Sequence, residues 1–195
     1  SPVKGTRDYL PWEAELRDDL QQIILKTYQE AGFSRISTPI LEDAVNLDKS
    51  DGGENLNLIF HVLKRGQKLE SALQNPQASE KDLSDMGLRY DLTLPLSRYY
   101  SQHRNELMSP FKVIQMDRVY RAERPQKGRL REFVQCDIDI IGNADVDAEI
   151  DLILTTTLAL DRVGIHEYQV KINDRRILKA IFSSVGFLEE DYDKL

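Results

Sequence analysis

Phe111–Glu123 and Leu130–Ile141 are the two stretches of the chain richest in strand-forming residues, and only the polar link Arg124-Pro125-Gln126-Lys127-Gly128-Arg129 lies between them. Two such runs joined so closely form a β-hairpin. A hairpin is antiparallel by construction, so this half of the chain does not follow the strand–helix–strand rhythm of a doubly wound parallel sheet.

The rest of the chain is a mixture of periods. Leu16, Leu20, Ile23, Ile24 and Tyr28 recur at helical spacing between Pro11 and Ala31, with Pro11 suited to a first turn and Gly32 to a stop. A strand is predicted from Phe33 to Ile40, ending near Pro39, then a polar loop over Glu42–Asn57. Ile59–Leu63 reads as a strand followed by a turn at Lys64–Gln67, and residues 70–86 as a polar, exposed insertion with at most short helical pieces. Next come a strand over Gly87–Thr93 and a helix over Leu94–Leu107. After the hairpin, Val146, Ile150, Ile153, Leu154, Thr157 and Leu158 keep helical spacing up to Gly164, and a strand at Tyr168–Ile172 and a helix at Arg175–Val185 complete the reading. The expected class is α+β, one domain with a largely antiparallel sheet flanked by helices.

Composition narrows the chemistry. No apolar run approaches the ~18 residues of a membrane span, and the start of the chain has no apolar core of the secretory kind, so a cytoplasmic protein is expected. The lone Cys136 excludes an internal disulfide, and His61, His103 and His166 are too scattered to suggest a metal site. A net charge of −7 offers no bulk attraction to polyanions, so phosphate contacts need a local basic cluster. Residues 118–131 supply one: Arg118, Arg121, Arg124, Lys127, Arg129 and Arg131 against the single acid Glu123.

Strand side chains alternate between faces. Leu130, Val134, Cys136, Ile138 and Ile140 form an apolar face broken by Glu132, whereas Arg131, Phe133, Gln135, Asp137 and Asp139 form a polar one; Gln115, Asp117, Arg121 and Glu123 share a face on the preceding strand. If the polar faces coincide, the sheet carries a floor of acids, amides, arginine and one aromatic ring. A merely solvated sheet face has the same alternation. Phe133 among polar neighbours, and the directed groups of Gln135 and Asp139, argue against that reading. Phe133 and Asp139 lie roughly 20 Å apart along an extended strand, long enough for a nucleotide and an amino acid at separate ends.

The segment Arg121-Ala122-Glu123-Arg124-Pro125-Gln126-Lys127-Gly128-Arg129-Leu130-Arg131-Glu132-Phe133 resembles motif 2 of class II aminoacyl-tRNA synthetases, in the form typical of histidyl-tRNA synthetases. Leu88-Arg89-Tyr90-Asp91-Leu92-Thr93 resembles that family's histidine-contacting segment, and Lys4-Gly5-Thr6-Arg7-Asp8 its N-terminal signature. Residues 32–42 resemble motif 1, which in the family helps form a dimer interface. The resemblance implies a class II synthetase-like sheet, ATP with Mg²⁺ as substrate complex, L-histidine and tRNA(His) as the other substrates, and a homodimer in the full-length protein.

Transferred residue by residue, the resemblance implies that Arg121 holds the α-phosphate of ATP and also meets the histidine carboxylate, Phe133 stacks on adenine, Glu123 accepts from the adenine amino group, and Arg129 reaches the outer phosphates. Asp91, Thr93, Gln135 and Asp139 receive the substrate histidine. Arg7 and Arg89 read equally well as structural ion-pair partners and are not counted as catalytic. The family's motif 3, its later arginine-bearing histidine motif and its anticodon-binding domain are not recognisable before Leu195, so the expectation is a fragment deficient in full aminoacylation. Two other readings compete. A non-catalytic paralogue serving as the regulatory subunit of ATP phosphoribosyltransferase would lack the ATP-handling residues found here, and a basic hairpin binding nucleic acid non-specifically would bind with steep salt dependence and no preference for histidine.

Overall fold

A computed structural model describes residues 1–49 and 56–187, which divide into two compact units, the second beginning at Gly164. The first begins with helix α1 (Pro11–Glu30). Glu13 reaches back to accept from the Leu10 amide at 2.9 Å, satisfying one donor that the first turn leaves free. At the other end Gly32 has φ +87°, and the amides of Gly32 and Phe33 donate to the carbonyls of Gln29 and Tyr28. This is the left-handed stop that only glycine adopts without a steric penalty. The turn brings the Phe33 and Tyr28 rings edge to face, 5.4 Å apart.

The strand expected over Phe33–Ile40 is pared to two residues, β1 (Ser34–Arg35), pairing parallel with the hairpin. Next come β2 (Leu41–Asp43) and α2 (Ala44–Lys49), where the sequence predicts a loop; the part of that loop at 50–55 lies outside the described residues. A short 3-10 turn (Leu56–Leu58) leads into β3 (Phe60–Leu63). The polar insertion does hold short helices, α3 (Gln67–Leu73) and α4 (Glu80–Leu83), but its last residues already form β4 (Ser84–Leu88). Helix α5 (Thr93–His103) follows, then β5 (Phe111–Tyr120), β6 (Glu132–Ile141) and α6 (Val146–Arg162).

Among the described residues the strands make two three-stranded sheets, β1-β5-β6 and β2-β4-β3, rather than one. All pairings but β1–β5 are antiparallel. Three apolar clusters hold this arrangement. Tyr28, Phe33, Ile114 and Ala159, with Ile138, Ile140 and Leu152 against them, fasten α1 and α6 to one face of the hairpin. Ile36, Leu96, Phe111 and Val113 seat α5 on the opposite face, and Leu47, Ile59 and Tyr90 anchor the second sheet. Full burial of each such side chain contributes about 1.5–3 kcal/mol. Arg98 of α5 grips the buried Glu42 of β2, its Nη2 donating at 2.8 Å, which ties helix to second sheet.

In the second unit no strand is formed over Tyr168–Ile172, contrary to the expectation: a strand needs a partner ladder, and no strand of that unit is found among the described residues. Helix α7 (Arg175–Ser184) forms as expected, started by Asp174, whose carboxylate accepts from the Arg176 amide at 2.8 Å.

Candidate active site

Cross-strand register settles whether the polar faces coincide. Asp139 lies opposite Val113, Asp137 opposite Gln115, Gln135 opposite Asp117 and Phe133 opposite Val119. Directly opposed residues point to the same side of a sheet, so the acids and amides of both strands share one face. That face is not merely solvated. Gln115 is 1% exposed and its Nε2 donates to the Leu92 carbonyl at 2.9 Å, placing the link between β4 and α5 across the middle of the sheet.

Arg89 pins the link. Although 2% exposed, its guanidinium donates to the Arg118 carbonyl at 2.8 Å and the Thr38 carbonyl at 2.7 Å, with Asp117 Oδ1 3.8 Å away. Its own amide and carbonyl pair with Ile40 and Tyr120. Burial pulls the guanidinium's pKa down and the Asp117 charge pulls it back up. Arg89 is therefore structural, as one of its two sequence readings had it. Arg7 contacts Glu13 at the start of α1, again an ion-pair role.

One residue further on, the Tyr90 carbonyl accepts from Arg121 Nε at 3.0 Å. This fixes the guanidinium beside Phe133, whose ring centroid lies 5.2 Å from the Arg121 Cζ. Arg121, Glu123, Gly128, Arg129, Leu130 and Phe133 line one cavity of about 290 Å³, so the four residues expected around ATP are brought together. Glu123 is held by Arg129, whose Nη2 donates to Oε1 at 2.9 Å and whose Nε contacts Oε2.

The link from 121 to 131 is longer than the six-residue turn the sequence suggests. It is closed on itself by a Gln126–Arg129 bridge and tied down from the chain's start. Gly5 accepts from the Arg131 amide at 2.7 Å, and Arg131 Nε donates to the Glu123 carbonyl at 3.0 Å. Gly5 has φ +89°, and a Cβ there would meet Pro125 Cγ at 2.7 Å and Arg131 Cγ at 2.9 Å. The glycine of the N-terminal signature is thus required by close backbone approach to the loop.

The residues expected to receive histidine are more dispersed. Thr93 is not in a strand: β4 stops at Leu88 and Thr93 opens α5, exposed, while Asp91 Oδ1 accepts from the Thr93 amide at 3.2 Å and the Leu94 amide at 3.4 Å. Asp-x-Thr with Pro95 in the first turn is a helix start, a signal present in the sequence but outweighed there by apolar neighbours. Burial raises the pKa of Asp91, the two backbone amides lower it, and the neighbouring charges of Asp137 and Arg121 oppose each other. Asp139 is likewise raised by burial and then by Asp137. Asp137, unassigned by sequence reasoning, is the group common to both. Gln135 Nε2 donates to both of its oxygens, at 2.7 and 2.9 Å. The strand alternation placed Asp137 on the right face but gave no sign of this contact.

A cavity with two arginines and an aromatic ring at one end, and half-buried carboxylates and an amide along the same strand, suits a molecule anionic at one end and cationic at the other. A family model described as histidyl-tRNA synthetase matches residues 5–195. The chain belongs to the histidyl-tRNA synthetase family. It is 44% identical over 192 residues to a histidine–tRNA ligase of Leifsonia xyli, covering 97% of this chain and 44% of that protein. It is 42% identical over 185 residues to a probable histidine–tRNA ligase of Tropheryma whipplei, covering 95% and 42%. It therefore spans less than half the length of these curated relatives. Among solved structures, a histidyl-tRNA synthetase from Nostoc superposes with a TM-score of 0.79 at 29% identity, over 99% of this chain and 41% of that one. An ATP phosphoribosyltransferase regulatory subunit/histidyl-tRNA synthetase from Bacillus halodurans shares the fold, with a TM-score of 0.76 at 22% identity over 100% of this chain and 46% of that one.

Proposed function

We propose that this chain is the ATP- and histidine-binding part of a histidine–tRNA ligase, which joins L-histidine to the AMP portion of ATP with release of pyrophosphate and passes the histidyl group to tRNA(His). One observation carries the reading: Arg121, anchored through Nε to the Tyr90 carbonyl, stands between the Phe133 ring and the acid-lined face where Asp91 and Asp137 lie. Its guanidinium is set beside the groups proposed for both substrates.

ATP lies with its adenine on Phe133, bonded to Glu123, and its outer phosphates toward Arg129; magnesium enters with the nucleotide. Asp91, Thr93, Gln135 and Asp139 hold histidine by its ammonium and imidazole. A carboxylate oxygen of histidine then attacks the α-phosphorus in line, the bond to the bridging oxygen breaks, and pyrophosphate departs with that electron pair. Arg121 stabilises the charge that builds on the α-phosphoryl oxygens, a role suited to its permanently charged, planar fork. A terminal ribose hydroxyl of the tRNA next attacks the carbonyl carbon and displaces AMP. No side-chain nucleophile is needed; positioning and electrostatics carry the reaction. In this reading the full-length protein is a cytoplasmic homodimer, residues 32–42 contributing to the dimer contact.

The test is binding of a non-hydrolysable histidyl-adenylate analogue to the full-length protein, titrated against salt. Tight binding that depends weakly on salt and falls at least tenfold in Arg121→Ala supports the proposal. Binding that collapses with salt and ignores the histidyl group favours a non-specific polyanion site.

A further inference from the structure

Gln135 is expected to meet the substrate histidine, yet a carboxamide presents a donor on one side and an acceptor on the other, and something must choose between them. In this chain the choice is made by Asp137. The Gln135 nitrogen donates to both Asp137 oxygens, at 2.7 and 2.9 Å, spending its hydrogens there. Turning the amide over would set its oxygen against both carboxylate oxygens, acceptor on acceptor. The orientation that results leaves Gln135 Oε1 buried and without a hydrogen-bond partner among the described residues.

The neighbouring groups tell the same story. Gln135 stands opposite Asp117 and Asp137 opposite Gln115, so the four side chains form a block on one face of the hairpin. Gln115 Oε1 and Asp117 Oδ2 are also buried without a donor among the described residues, while the Gln115 nitrogen is taken by the Leu92 carbonyl. A cluster of acceptors lacking hydrogens calls for a ligand group that brings several of them with a positive charge. A primary ammonium does so.

We propose that Asp137 is a positioning residue that locks the Gln135 carboxamide with its oxygen presented to the α-ammonium of the bound amino acid. The inference rests on the histidine-binding reading of this face and adds to it the residue that selects the amide's orientation. Asp137 itself touches Gln135 and not the substrate.

The experiment measures the affinity of full-length wild-type protein, Asp137→Ala and Asp137→Asn for histidine, histidinol and imidazole-4-propionate. The first two ligands carry the ammonium, and the third keeps the imidazole and chain without it. Asp137→Ala is expected to weaken histidine and histidinol about tenfold and leave imidazole-4-propionate within about twofold. Asp137→Asn keeps an acceptor oxygen for the Gln135 nitrogen and is expected to restore most of the loss, which a purely structural role would not explain. Equal weakening of all three ligands, or no weakening in Asp137→Ala, overturns the inference while the histidine reading stands. Wild-type protein that binds none of the three overturns that reading and the inference together.

Discussion

Replacing Arg89 by methionine removes the cation that holds the β4–α5 link to the hairpin, and the structure sets the size of the effect. The Arg118 and Thr38 carbonyls lose charged donors at 2.8 and 2.7 Å, and Asp117, whose Oδ2 has no hydrogen-bond partner among the described residues, loses its cation at 3.8 Å. A hydrogen bond to a charged group contributes about 1.5–3 kcal/mol, and breaking a buried pair from one side costs about 3–5 kcal/mol. These losses overlap, so the expected destabilisation is about 3–5 kcal/mol, a large part of the 5–15 kcal/mol typical of a domain. With a urea dependence of about 2 kcal/mol per molar, the unfolding midpoint followed by circular dichroism falls by roughly 1.5–2.5 M. Arg89→Lys loses most of this too, because one ammonium does not span the fork's two directions. Arg89→Met with Asp117→Leu recovers part of it by removing the stranded charge. A midpoint within about 0.3 M of wild type in Arg89→Met would refute the structural role assigned to this residue.

Three further outcomes follow from the same geometry. Phe133→Ala lowers ATP affinity by about 1–3 kcal/mol, the worth of one stacked base, and leaves histidine affinity within about twofold; equal losses for both ligands would contradict the division of the strand into two ends. Gly5→Ala forces a side chain into a left-handed backbone and against Pro125 and Arg131, and is expected to weaken ATP binding about tenfold through the loop without altering histidine affinity; unchanged ATP affinity by calorimetry would refute it. Asp91 and Asp139 have raised pKa values, so the stability they lend the unliganded protein is full below the ordinary carboxylate pKa of 3.8 and is lost as pH rises through their folded values. A bound ammonium favours the ionised carboxylates, so histidine binding just above that range is expected to release protons, fewer than two per site. Calorimetry in buffers of different ionisation enthalpy reads the sign, and proton uptake would count against it.

Legibility from sequence followed the range of the forces involved. Helix α1, with its proline start and glycine stop, and α6 were evident because helical period and capping are local. The hairpin was evident because its runs are long and their partner is adjacent. Over Phe33–Ile40 and Tyr168–Ile172 the sequence predicts more strand than forms, since a strand exists only where a neighbour supplies a ladder, and apolar content does not say whether one is there. The apolar run through Leu92 predicts a strand as far as Thr93 and masks the Asp91 helix start. At the site, alternation was enough to put Phe133, Gln135 and Asp139 on one face with Asp137. The Arg121–Tyr90 bond, the Gly5–Arg131 contact and the Asp137–Gln135 pairing join parts of the chain, or rotamers, that no spacing rule connects.

The most direct test of the proposed chemistry is histidine-dependent exchange of pyrophosphate into ATP by the full-length protein, with Arg121→Ala alongside. Exchange with histidine alone among the amino acids, reduced about 100- to 1,000-fold in the variant, is the expected result. Histidine binding without any exchange in the wild-type protein would contradict the account and point instead to a binding subunit built on the same fold.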